Sequence, residues 1–306
     1  MLSSCEENNE PADFIKGTHG VIADHTIAFE DMLRAIPDEY IDAARGNLHI
    51  SYQHTSHGTH VTRGMFGLPD YKGGDAARFA VTRNDPQAGK LDLRDNLLEY
   101  SAESGVDASD LSRDETAFIQ TTRNYLDDPD NSEINVIMWS WCSIADHDVA
   151  GNYIPGMQTL INEYGPGGSK IGSGNGQREN AVTFIFMTGH AERNNNLGGG
   201  LPKNQADLIL DYCRENNFYC LDYYGIDTHD MDGDYWEDAG DNGNSPSGGD
   251  FYQEWQDAHS VGDGYYENRR DPGGEVSYGS HTTQHITSNR KAYAMWYILA
   301  SIAGWE

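Results

Sequence analysis

The stretch Leu48-His49-Ile50-Ser51-Tyr52-Gln53-His54-Thr55-Ser56-His57-Gly58-Thr59-His60 begins as an alternating apolar segment and ends in a serine among three imidazoles. A serine hydroxyl is a weak nucleophile until a base takes its proton, and imidazole is the side chain that does this near neutral pH. Ser56 is therefore the candidate nucleophile. The base is one of His259, His281 and His285, of which His281 or His285, just before the last helical segment, is placed for the role. Backbone N–H groups after Ser56, such as that of Gly58, are candidates to hold an oxyanion. A second chemistry uses the same residues differently: His54, His57, His60 and His190, with an aspartate, would hold a metal that activates water.

Either chemistry needs elements that bring these residues together. Residues 48–53 read as a strand with Leu48, Ile50 and Tyr52 on one face. Apolar runs at 134–142 and 182–187, and a further segment at 218–224, read as strands covered on both faces. Helices are expected over 27–45 with a break at Pro37, from Thr59 through Met65, and after the capping pattern Ser112-Arg113-Asp114-Glu115. Further helices follow the spacing Met157, Leu160, Ile161, Tyr164, then start at Pro202 and run from Ser288 to Ala303. Residues 69–110 show weak periodicity. Strand and helix alternate, which implies parallel strands with all carboxyl ends on one edge, where ligands bind in such sheets. Those ends carry His54 to His60, Trp141 to His147, His190 to Arg193, and Asp222 to His229. The segment before the last helix adds His281 and His285, so seven or more of the twelve histidines collect at one edge.

Residues 230–280 are rich in Gly, Asp, Asn and Tyr and read as a lid or insertion over that edge. Trp236 and Trp255 within it either stack on sugar rings or pin the loop. Asp230-Met231-Asp232-Gly233-Asp234 fails the calcium-loop pattern, since its first and last ligand positions would be Thr228 and Ala239. No cofactor motif is present, and a divalent metal is the sole alternative.

With 306 residues and a formal net charge of −29, the chain has room for one large domain, and its surface repels nucleic acid and anionic membranes. We expect an arm over 1–20 and one domain over 21–306. Four cysteines are too few for a disulfide scaffold; Cys213 and Cys220 read as buried thiols or a pair across a tight turn. Leu2-Ser3-Ser4-Cys5, followed by Glu6-Glu7, resembles a bacterial lipobox with an acidic export signal. That implies an outer-membrane lipoprotein, at the cell surface or facing the periplasm, held only by a lipid on Cys5.

The blocks His54-Thr55-Ser56-His57-Gly58, Thr188-Gly189-His190 and His281-Thr282, with Asn289, Lys291, Trp296 and Ala303-Gly304-Trp305 after them, resemble a divergent branch of the SGNH/GDSL-like hydrolases. The resemblance implies a three-layer α/β/α flavodoxin-like fold and hydrolysis of an ester, often an acyl group on a carbohydrate. By position Ser56 matches the nucleophile and His281 the catalytic histidine. The Gly-Asp-Ser block is absent, Trp141-Cys142-Ser143 stands where Gly-x-Asn-Asp belongs, and there is no Asp-x-x-His. Asp257 and Asp227 are the candidates for the orienting acid, and His54, Trp141, His190, Arg193 and His285 those for substrate or oxyanion contacts. Two other readings compete: a metal- or His-assisted glycoside hydrolase or lyase, with Glu192 and Asp222 or Asp227 as paired carboxylates, and a surface glycan-binding lipoprotein.

Overall fold

The computed structural model describes residues 20–305; the lipobox expectation on Cys5 and almost all of the 1–20 arm lie outside them. Seven strands make one sheet: β1 (Ile22–Ala23), β2 (His49–Gln53), β3 (Val81–Arg83), β4 (Leu91–Asp95), β5 (Val136–Trp139), β6 (Thr183–Met187) and β7 (Tyr219–Leu221). Their order is β1-β7-β6-β5-β2-β4-β3, and every neighbouring pair is parallel. Without the two edge strands, the chain-order pattern is 2-1-3-4-5, a doubly wound arrangement whose direction of winding reverses at β2 and β5. Tyr52 stands opposite Met138 and Asp95 in register, so β2, β4 and β5 end level with one another.

Period-two alternation divides the strands between two cores. Ile50, Tyr52, Val136, Met138, Ile185, Met187 and Leu221 pack to one side, beneath α2 (Asp38–Asn47), α3 (Thr59–Gly67) and α10 (Ile286–Ile302). Ile137, Trp139, Phe184, Phe186 and Cys220 pack to the other, beneath α5 (Ala117–Asp127), α6 (Ile154–Tyr164) and α7 (Leu201–Asn216). The result is three layers, α/β/α. Pro37 ends α1 (Glu30–Ala35) and caps α2, with Asp38 and Glu39 in the first turn. α3 lies so close to α10 that a Cβ on Gly64 would overlap the Ser288 carbonyl; this close approach brings the chain after Ser56 beside the chain before α10.

Three expectations need correction. Residues 69–110 hold β3 and β4 together with the short α4 (Asp75–Arg78); Asp92, Arg94 and Asp95 in β4 mask its apolar Leu91 and Leu93. The pattern at Ser112 does not cap a helix. α5 starts at Ala117, and Asp114 Oδ1 receives the Thr116 and Ala117 amides at 3.0 and 3.1 Å. β7 stops at Leu221, because Asp222 caps α8 (Tyr223–Asp227) by accepting the Gly225 amide. Within 230–280 the chain forms two small strand pairs and α9 (Phe251–Ala258). There Trp236 donates to Asp230 at 2.8 Å, Trp255 stacks on His259, and both rings pack against the cluster of Ala239, Phe251, Tyr252 and Ile286. Asp230 Oδ1 is occupied by the amides of Asp232 and Asp234. Cys142, Cys213 and Cys220 are free thiols.

Candidate active site

Ser56 opens a single 3-10 turn, Ser56–Gly58, between β2 and α3. Its φ is +34°, and that of His281 is +65°. Such left-handed conformations cost a non-glycine residue about 1–3 kcal/mol each. Surrounding bonds hold them: Thr59 Oγ1 donates to the Ser56 carbonyl at 2.6 Å and accepts the Ser280 amide at 2.9 Å. Thr55 is tied to the Asp110 carboxylate, and Tyr223 donates to the His57 carbonyl at 2.9 Å. Thr59 thus bridges the two strained segments directly. The outcome is a distance of 2.6 Å between Ser56 Oγ and His281 Nε2.

His57 lies in a stack of three imidazoles, 3.6 Å from the His190 ring centre and 4.5 Å from that of His281. Its Nε2 is 2.7 Å from Asp241 Oδ2, and its Nδ1 is 4.0 Å from Cys142 Sγ. Burial disfavours charge on His57, but the Asp241 carboxylate outweighs it, and the ring is raised to about 9. The same pairing holds Asp241 below the usual carboxylate range against its burial. The hydrogen bond from His57 draws the Cys142 thiol below its ordinary value. Burial, and then the charge on His57, lower His190 to about 4. Ser112 fixes the Cys142 loop: its Oγ accepts the Cys142 and Ser143 amides at 2.8 and 2.9 Å and donates to the Ser143 carbonyl at 2.7 Å. Ser143, His190, Glu192, Arg193 and Asp241 line an open cleft of about 340 Å³ beside the stack.

Ser56 and His281 therefore meet on one side of the His57 ring, and His190, stacked on that ring, lines the neighbouring cleft with Arg193. The other expected residues fall elsewhere. His54 turns away to Asp95, at 2.6 Å, in a buried pair. Trp141 is buried against Tyr153 on the same face as Trp139, as period two requires, and offers no surface to a substrate. The Gly58 amide is spent on the Thr55 carbonyl at 2.9 Å; the Ser56 and His57 amides are the ones a 3-10 turn leaves without an internal partner. His285 Nδ1 accepts the Asn268 amide at 3.1 Å, and its ring stacks on Tyr278. His259 is bonded to Trp255. Asp257 is exposed on α9 and accepts from Gln253 at 2.9 Å. Asp227 is sealed against Lys291. Among the described residues no carboxylate hydrogen-bonds His281, so Ser56 and His281 form a dyad.

Of the expected metal set, His54 is held by Asp95, and His60 bonds the Ser280 carbonyl at 2.7 Å. His57 and His190 remain, joined by Asp241. Sequence reasoning missed Asp241, one acid among many in an aperiodic segment, and saw Cys142 only as a strand end. No helix among the described residues is long and apolar enough to cross a membrane. Compared with protein-family models, curated proteins and solved structures, the chain matches none.

Proposed function

We propose that the protein is a serine hydrolase that cleaves an ester, removing an acyl group from a carbohydrate, on an SGNH-type variant of the three-layer fold. The observation that carries this is the 2.6 Å approach of Ser56 Oγ to His281 Nε2 at the carboxyl edge of the sheet. In this reading Ser56 attacks the acyl carbon as its proton passes to His281, and the Ser56 and His57 amides face the oxyanion. His281 then protonates the departing sugar alkoxide, and water, deprotonated by the same imidazole, releases the acid. The open cleft next to the imidazole stack, where Ser143, Glu192, Arg193 and Asp241 offer hydrogen-bonding groups, suits a hydroxyl-rich substrate. Of the paired carboxylates considered for glycoside cleavage, Glu192 lines that cleft, whereas Asp222 caps α8 and Asp227 is buried with Lys291. The carbohydrate and the lipid on Cys5 rest on the sequence resemblances.

The test is turnover of p-nitrophenyl acetate and of an acetylated polysaccharide. Ser56→Ala lowers kcat by at least about a thousand-fold, and a fluorophosphonate labels Ser56 in the wild type. Full activity in the alanine variant would remove Ser56 as nucleophile.

A further inference from the structure

We propose that His57, His190 and Asp241 bind a divalent first-row transition-metal ion, of the zinc or cobalt type, at a site opening onto the cleft lined by Ser143, Glu192 and Arg193. The three residues come from separate elements: the turn after β2, the loop after β6 and the 230–280 insertion. Even so, one ligand atom from each lies within 4.8 Å of the others. Two imidazoles and a carboxylate are a donor set for zinc or its neighbours; calcium and magnesium take oxygen almost exclusively.

The surroundings match those of a ligand set. His190 Nδ1 lies 2.9 Å from the Ala191 carbonyl. That bond fixes the tautomer and leaves Nε2 with a free lone pair, as in histidine ligands oriented by a backbone oxygen. Glu192 Oε1 stands 3.8 Å from that Nε2 and is steadied by Ser143 Oγ at 2.7 Å, within a rotamer change of serving as a fourth donor. His57 Nε2 and Asp241 share a proton at 2.7 Å. A metal would replace this proton, with each donor about 2.0–2.2 Å from the ion, so the pair opens slightly and the stacked rings splay until their lone pairs converge. Cys142 faces Nδ1, the opposite edge of the His57 ring, and stays outside the set. Because the cleft is open, the remaining coordination positions are available to oxygen atoms of a substrate.

The site does not depend on the ester reading, since Ser56 is not a ligand. The chain, stripped with a chelator and dialysed, is titrated with Co²⁺ and with Zn²⁺ by calorimetry, and bound Co²⁺ is followed by visible absorption. The expected result is one ion per chain. His190→Ala and Asp241→Asn, each shown to be folded by circular dichroism, weaken binding more than about 100-fold, beyond the usual effect of an outer-shell change. Ser56→Ala binds as the wild type does. No saturable one-to-one binding, wild-type affinity in both ligand variants, or a sulfur-to-cobalt charge-transfer band would each overturn the assignment. If Ser56→Ala retains ester turnover while the metal results hold, the ester reading alone falls.

Discussion

His54 and His57 stand three positions apart where β2 runs into the following turn, and each faces an aspartate, at 2.6 and 2.7 Å. Their surroundings set them apart. On the β4 side His54 and Asp95 are 3% and 2% exposed, and the second Asp95 oxygen binds Arg83 at 2.6 Å. That carboxylate is saturated and its partners are fixed. On the β5 and β6 side, His57 is stacked between two more imidazoles, and Asp241 borders an open cleft. An imidazole–carboxylate pair is therefore not a site by composition. It becomes one where reactive atoms are within reach of solvent and a substrate.

The sealed side of the edge should carry stability and the open side activity. The largest effect belongs to Lys291, wholly buried with Asp227. Lys291→Met strands an uncompensated carboxylate and costs about 3–5 kcal/mol in urea unfolding. Asp95→Asn comes next, at about 1.5–3 kcal/mol, since it removes the ion pair with Arg83 and weakens the hydrogen bond to His54. Asp241→Asn, whose side chain is one-fifth exposed and open to water, loses the charge that holds His57 protonated and should cost less, about 1–1.5 kcal/mol. Equal losses in the two Asp→Asn variants would dissolve the contrast.

Acid titration sharpens it further. Burial, with help from His229 and Arg269 respectively, lowers His25 and His285 to about 4, against about 6.5 in an unfolded chain. Between those values the unfolded state binds more protons, so their contribution to stability is complete above pH 6.5 and is lost as the pH falls toward 4. Burial raises Asp222 and Asp227 to about 6, which acts in the opposite sense. The quantity to read is thus the difference between variant and wild type. In His25→Gln and His285→Gln the melting temperature should lose less than the wild type's between pH 6.5 and 4.5. Parallel curves would mean that these rings titrate normally in the fold.

The strands facing both cores were legible because buried parallel strands are nearly continuous apolar runs; β5 and β6 read that way. β4 was not, because Asp92 and Arg94 pair with each other on one face of the strand while Asp95 pairs with His54 and Arg83 on the other, which breaks its apolar pattern. The meeting of Ser56 and His281 was legible as strand-end topology and as a resemblance. Asp241 was illegible in principle: its partner is 184 residues away in sequence, and nothing local distinguishes it from neighbouring acids. Trp141 shows the converse error, since a polar-looking strand end still obeys period two and points inward.

Ser112 gives the smallest expected effect and a test of where the open side ends. Its hydroxyl joins the Cys142 and Ser143 amides and the Ser143 carbonyl, and Ser143 in turn supports Glu192 at the cleft wall. Ser112 touches neither Ser56 nor His281. Ser112→Ala should therefore cost only about 1 kcal/mol of stability, because water can satisfy amides on a half-buried loop. The loop relaxes, the cleft wall loses its fixed geometry, and KM for the polysaccharide ester rises a few-fold while kcat is kept. With p-nitrophenyl acetate, too small to reach that wall, neither constant should move. A fall in kcat for the small ester would show that the Cys142–Ser143 loop acts on the dyad itself, and the boundary between scaffold and chemistry would have to be redrawn to include it.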